Sequence, residues 1–173
     1  MAAEQQPAPE TLYQLEAADG TQVGISGPAA EQSKTLSDLI MNLVDAADTT
    51  IPLSNISLAT LTKVVEWCEH HKGEAVPVED ESVPKKVVLD DWDREFLKVD
   101  NEELFEIIVA ANYLDIKQLL NLSCKIVADM AKGKTPEEMR RIFGIKSDEE
   151  EEEEEKKRQA AAASGGPSTS SAN

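Results

Sequence analysis

Apolar residues recur at helical spacing in the middle of the chain. Over residues 57–71 they fall on one side of a helix, and Ser57 can accept a hydrogen bond from its first turn. The next stretch, residues 73–89, contains two prolines and few apolar side chains, which predicts a flexible loop. The apolar face of the predicted helix consists of Leu58, Leu61, Val64, Val65 and Cys68.

Three consecutive helices are predicted after this loop, each opened by a polar residue that can cap its first turn. The first opens after Asp100 and the second after Asp115, and Gly133 stops the second. The third opens at Thr135 and carries Glu138 three residues later. This is the capping-box pattern, in which each side chain accepts a hydrogen bond from the other residue's backbone N–H.

The N-terminal part of the chain favours β-strands. Two short segments, Leu12–Glu16 and Gln22–Ser26, flank an Asp-Gly dipeptide, which is a favoured turn between antiparallel strands. Residues 29–43 favour a helix with a break near Lys34. A further extended piece follows at 50–53, and its proline restricts it to the edge of a sheet. The order of elements predicts an α+β fold, a short mixed sheet with helices followed by further consecutive helices.

Acidic residues dominate the charge of the chain. Its 173 residues include 34 Asp and Glu against 17 Lys and Arg, a formal net charge of −17. Nucleic acids and anionic membranes are bound through Lys and Arg, so neither is expected as a partner. No apolar run approaches the roughly 20 residues that span a bilayer, and we expect no secretory signal at the N-terminus. Two cysteines without a CxxC spacing favour a reducing compartment, the cytoplasm or the nucleus.

The acidic residues are concentrated near the C-terminus. Eight consecutive acids at 148–155 precede three basic residues, and the last fifteen residues contain no large apolar side chain. Such a segment buries too little apolar area to offset the entropy of ordering it. Glu-Lys pairs four residues apart favour one solvated helical stretch within an otherwise disordered tail.

Residues that could perform chemistry are scarce. Cys68 and His71 lie one turn apart on the predicted helix and could supply two zinc ligands, but structural zinc needs four and no second pair exists. The sequence therefore favours a buried Cys68 and two surface histidines, His70 and His71, near the end of the helix. With no glycine-rich phosphate loop or nucleophile motif, we expect neither enzymatic activity, nor a cofactor, nor a metal.

Two of the predicted helices are apolar nearly all around. These are the helix that follows Asp100 and the one after it. One apolar face suffices for packing on a core, so two faces imply burial from both sides. Central burial within this chain and a groove that accepts helices of another protein both explain the pattern.

Several contiguous segments resemble one known family. They are LTKVVEWCEHHK at 61–72, WDREFLKVD at 92–100, LFEIIVAANYLDIK at 104–117 and KGKTPEEMR at 132–140. Together they resemble the S-phase-kinase-associated adaptors of SCF ubiquitin ligases. The resemblance implies a BTB/POZ-type fold followed by partner-binding helices. It also implies an adaptor that bridges a cullin to the F-box of a substrate receptor and supports ubiquitination and proteasomal turnover.

Composition and the resemblance together predict the boundaries, and the resemblance implies the surfaces. The boundaries are a flexible N-terminus at 1–10, a BTB/POZ-like region at 11–100, the last BTB helix and F-box-binding helices at 101–145, and a mostly disordered tail at 146–173. Carried over by matching motif, Asn112 and Tyr113 belong to a cullin-facing surface. The implied F-box-facing surface consists of Phe105, Ile108, Leu120, Cys124, Val127, Pro136, Ile142 and Phe143.

The C-terminus departs from the family. The family's last helix ends near a Trp-Cys-Glu sequence and helps to hold the F-box, whereas no tryptophan follows Trp92 here. A diverged BTB adaptor with altered or lost F-box binding is therefore an alternative. Two others are an adaptor for BC-box receptors, as elongin C is, and an acidic chaperone for basic proteins.

Overall fold

The computed structural model describes residues 11–43, 48–76 and 87–163. It forms two compact units, Met1–Asp129 and Met130–Asn173. The expectations for residues 1–10, for most of the loop at 73–89 and for the Ser/Gly-rich end of the tail lie outside the described residues.

A three-stranded sheet opens the first unit. Strands β1 (Leu12–Glu16) and β2 (Gln22–Ser26) pair antiparallel, so the predicted hairpin is confirmed. Gly20 has φ of 83° in the connecting turn, a conformation that glycine adopts without strain. Strand β3 (Thr50–Pro52) pairs parallel with β1, which gives the order β2-β1-β3 and places the proline at the sheet edge as predicted.

Among the described residues, six helices belong wholly or mainly to this unit: α1 (Gly27–Ala30), α2 (Lys34–Asn42), α3 (Leu58–His70), α4 (Asp91–Phe96), α5 (Asn101–Tyr113) and α6 (Lys117–Ala131). Helix α3 packs against α5, α1 and β2, and its Leu61, Trp67 and Cys68 are completely buried. Ser57 caps α3 by accepting a hydrogen bond from the backbone N–H of Thr60, as predicted.

The link between α5 and α6 differs from the prediction. Asp115 was expected to cap α6, but α6 begins only at Lys117, and Asp115 has a φ of 52°. Its carboxylate lies 2.9 Å from the ammonium of Lys117. Asp115 is therefore part of the turn that redirects the chain, since Asp is one of the few residues that adopt this left-handed conformation.

The prediction of two surface histidines was wrong for His71. This side chain is only 2% exposed, with Nε2 3.0 Å from Asp93 Oδ1 and Nδ1 3.0 Å from Glu74 Oε2. The indole N–H of Trp67 donates to the same Asp93 oxygen at 2.9 Å. Asp93 lies on α4, a six-residue helix that the sequence did not predict because it is too short to display a period. The unpredicted helix therefore carries the buried carboxylate that satisfies both rings.

The second unit contains α7 (Pro136–Phe143) and α8 (Asp148–Ala163). The capping box between Thr135 and Glu138 is formed in both directions, as predicted. Every side chain of α8 is exposed, and Lys156 and Lys157 pair with acids four residues earlier. The solvated helical stretch is thus confirmed, whereas the boundary at 146 stays a prediction.

Acid is expected to loosen the first turn of α7. The N–H of Thr135 donates to Glu138 and lowers the pKa of that carboxyl from its ordinary 4.5. A carboxyl whose pKa is lower in the folded than in the unfolded state stabilises the folded state at pH values above its unfolded-state pKa. This stabilisation is lost as the pH falls through the folded-state pKa. After correction for intrinsic exchange, the hydrogen exchange rate of the Thr135 amide should therefore rise as the pH falls through the folded-state pKa of Glu138.

Glu138→Gln is the matched control, because its amide oxygen still accepts the hydrogen bond but does not titrate. Its Thr135 amide should lose this pH response after correction for intrinsic exchange. An equally steep response in both proteins would contradict the assignment of the effect to Glu138.

Candidate partner-binding surfaces

Helix α5 has one buried and one exposed apolar side. Leu104, Ile107, Ala110 and Ala111 are buried on the side that faces the core. On another side, Phe105 is 38%, Val109 65% and Tyr113 46% exposed. Residues four apart lie on the same face of a helix, so these three form a continuous apolar stripe.

The stripe forms one wall of a groove. The opposite wall consists of the chain between β3 and α3 and the first turn of α3, and the volume of the open groove is about 460 Å³. We call this feature the α5 groove. Its lining consists of Asn55, Ile56, Ser57, Thr60, Phe105, Glu106, Val109, Ala110 and Tyr113.

A polar cluster joins the two walls. The hydroxyl of Thr60, which is only 3% exposed, donates to Glu106 Oε2, because an ionised carboxylate can only accept. Ser57 Oγ lies 3.2 Å from the same oxygen and 2.9 Å from the Thr60 hydroxyl. Two hydroxyls at the start of α3 therefore hold one carboxylate oxygen of α5.

The C-terminal end of α5 is fixed by the start of α2. Ser33 Oγ donates to the carbonyl of Leu114 at 2.5 Å, and Thr35 Oγ1 donates to the carbonyl of Tyr113 at 3.3 Å. These carbonyls would otherwise lack a helical partner. Tyr113 is therefore a half-exposed ring on a firmly held backbone, and Asn112 before it is exposed but does not line the groove.

Helix α6 has a similar two-sided character within the first unit. Leu119, Leu122 and Ser123 are buried. Leu120 and Val127 are half-buried and Cys124 is exposed, and their spacing places all three on one side of the helix. We call these three residues the α6 stripe. Ile108 of α5 is half-buried as well.

Three of the residues implied in F-box binding belong to the second unit. Pro136 is the exposed first residue of α7, where a missing N–H costs nothing. Ile142 and Phe143, at the other end of the same helix, are half-buried.

Phe105 is the residue whose placement was least expected. The resemblance assigns Phe105 to the F-box side and Tyr113 to the cullin side, but both line the α5 groove. Val109 and Glu106 line it too and were not singled out from the sequence. Spacing could have found Val109, since positions 105, 109 and 113 repeat every four residues. Ser57 and Thr60 could not be found that way, because they reach the groove only through tertiary packing.

Within 11–43, 48–76 and 87–163, no group of three or more His, Cys, Asp or Glu side chains could hold a metal ion. In that described part of the chain, no helix has the length and apolar character required to cross a membrane.

Comparison with protein families gives two matches. Residues 12–73 match the tetramerisation domain of the Skp1 family, and residues 117–164 match the dimerisation domain of the same family. The first match covers the sheet and α1–α3, which agrees with a BTB/POZ-type fold, and the second covers α6–α8.

Comparison with curated proteins finds relatives named E3 ubiquitin ligase complex SCF subunit sconC. That of Arthroderma benhamiae is 47% identical over 137 residues, 78% of this chain and 83% of the relative. That of Aspergillus fumigatus is 43% identical over 140 residues, 80% of this chain and 88% of the relative. That of Talaromyces stipitatus is 42% identical over 136 residues, 78% and 84%.

Proposed function

Because this chain belongs to the Skp1 family, we propose that it bridges a cullin scaffold to the F-box of a substrate receptor. It is an adaptor subunit of an SCF-type ubiquitin ligase, with a BTB/POZ-type α+β fold. The adaptor positions a substrate receptor for ubiquitination and performs no chemistry itself.

The observation that carries the proposal is the exposed apolar stripe on α5. Three large apolar side chains stand in line on the surface of a chain with a net charge of −17. An exposed apolar groove with a polar rim is typical of a protein-binding surface. The cullin is proposed to bind here, with Tyr113 as the anchor and Asn112 beside it.

The F-box is proposed to bind the α6 stripe, Ile108 and the α7 residues Pro136, Ile142 and Phe143. Half-buried apolar side chains on the outer side of α6 support this, since a partner helix could complete their burial. Phe105, assigned to the same set by resemblance, is the one member that also lines the α5 groove.

The two free cysteines support a reducing compartment as the place of action. We extend the proposal accordingly to the cytoplasm and the nucleus.

Thiol labelling tests the F-box half of the proposal. Burial and the neighbouring Glu69 raise the pKa of Cys68 to about 12, so its reactive thiolate is rare, whereas Cys124 on the α6 stripe is exposed. A maleimide should therefore label one thiol in the native protein and two after denaturation. A saturating F-box protein is expected to slow the native labelling by more than about tenfold, because it covers Cys124.

Cys124→Ser is the control and should remove the fast native labelling entirely. Unchanged Cys124 reactivity in a mixture with F-box protein, together with intact cullin binding, would contradict the F-box surface. That combination would favour the alternative of an adaptor with altered or lost F-box binding.

A further inference from the structure

The α5 groove is apolar along most of its length, but one charged group lies in its lining. Glu106 is the only acidic or basic residue among the groove-lining residues that the structure describes. Its neighbours on α5, Phe105, Val109 and Tyr113, are all apolar or aromatic. A partner that buries these three side chains must therefore also meet this carboxylate.

The carboxylate is held in one orientation. Oε2 accepts from the hydroxyl of Thr60, and Ser57 Oγ lies 3.2 Å away on the same side. Ser57 Oγ also accepts the N–H of Thr60, so the cap of α3 and the carboxylate of α5 share one network. A surface glutamate normally loses rotamer entropy when it binds, and much of that loss has already occurred here.

Only one of the two carboxylate oxygens is used by this network. Within the described residues, the side-chain hydrogen bonds of Glu106 both end at Oε2. Oε1 therefore has acceptor capacity left, and a donor that belongs to a partner can use it. A cation is the best match, because a charge-assisted hydrogen bond is stronger than a neutral one.

We propose that Glu106, oriented by Thr60 and Ser57, is a specificity-determining residue of the α5 groove that selects a cullin segment with a Lys or Arg beside its apolar anchor. This rests on the proposed function, since the cullin is the occupant of the groove. The apolar stripe supplies affinity, and the carboxylate discriminates among segments of similar hydrophobicity, because leaving it buried and unpaired is costly. The assignment adds a charged contact to a surface otherwise defined by Tyr113 and Asn112.

The test measures cullin affinity of the full chain as a function of salt. Glu106→Gln keeps the size and the hydrogen-bonding oxygen but removes the charge. We expect its Kd for a purified cullin to rise about fivefold at low ionic strength, typical of one partly exposed ion pair. The difference from the wild type should shrink at about 1 M salt, because an ion pair at the edge of an interface is screened.

Glu102→Gln is the matched control. Glu102 is an exposed glutamate on the same helix, outside the groove, and its substitution changes the net charge equally. It should leave both the Kd and its salt dependence within about twofold of the wild type, since an exposed charge outside the groove stays hydrated and contributes little.

Thr60→Val tests the orienting role with a side chain of the same shape. It should weaken cullin binding by itself but add little in the Glu106→Gln background, because the hydroxyl acts through the carboxylate. If Thr60→Val lowers cullin affinity equally in both backgrounds, Thr60 acts independently of Glu106. That result would overturn the orienting role of Thr60.

Two results are clearly distinguishable. A wild-type chain that does not bind cullin overturns the proposed function. A wild-type chain that binds cullin, with Glu106→Gln binding equally well at all salt concentrations, overturns the role of Glu106 alone.

Discussion

Replacing Tyr113 by alanine is expected to weaken cullin binding about 30-fold while the fold is retained. The ring is 46% exposed and stands at the C-terminal end of the apolar stripe, where a partner would bury it. Buried aromatic anchors contribute about 2 kcal/mol or more to an interface, so the Kd should rise about 30-fold. The main-chain carbonyl that Thr35 bonds is unaffected by the substitution, and the helix end should stay in place. Calorimetry with purified cullin, and urea unfolding of each variant, provide the two measurements.

Met41→Ala is the matched control for this experiment. Met41 is 79% exposed but lies on α2, away from the α5 groove, so its loss should change the Kd by less than about twofold. Phe105→Ala should weaken cullin binding, because Phe105 lines the same groove as Tyr113. If the Tyr113→Ala variant binds cullin at the wild-type level, the cullin-facing surface that the family resemblance implies is wrong.

Replacing Asp93 by alanine is expected to produce a large loss of stability. The carboxylate is 2% exposed, accepts the indole N–H of Trp67, and lies 3.0 Å from His71 Nε2. Trp67 is completely buried and His71 nearly so, and neither ring can reach water when the carboxylate is removed. Leaving such groups unpaired costs about 2–4 kcal/mol, a large share of the free energy of unfolding of a typical domain.

Asp91→Ala is the control, because Asp91 is an exposed aspartate in the first turn of the same helix. Its free energy of unfolding should fall by no more than about 0.5 kcal/mol, because only the interaction of the Asp91 carboxylate with the helix dipole is lost. Urea unfolding separates the two variants, with the midpoint of Asp93→Ala lower by about 1 M or more. Equal midpoints for the two variants would show that the buried network does not stabilise this unit.

The helix termini were the part of the fold most readily predicted. Ser57, Asp100 and Thr135 each cap a helix as expected, because a cap depends on residues only two or three positions apart. The β-hairpin followed for the same reason, from an Asp-Gly turn between two short strands. Asp115 is the exception, since the packing of α5 against α2 sets the turn in which it lies.

The surfaces were predicted less completely. Two-faced apolar patterning left open whether α5 is buried within this chain or also faces a partner. The family resemblance favoured a partner and pointed to Tyr113. The apolar pattern could not show which exposed residues share a groove. The groove that Phe105 and Tyr113 line exists only because residues 55–60 pack beside α5. The pattern could not place His71 either, because burial of this side chain depends on Asp93, 22 residues away.

The sequence by itself determined the local elements, the acidic character and the family of this protein. Each of these depends on residue identity, on spacing within a few turns of chain, or on long contiguous motifs. The tertiary structure alone decided which polar groups become buried partners and which residues line the α5 groove. Those outcomes depend on contacts between residues distant in sequence, such as Thr60 with Glu106 and Trp67 with Asp93, whose hydrogen bonds form only when separate helices pack together.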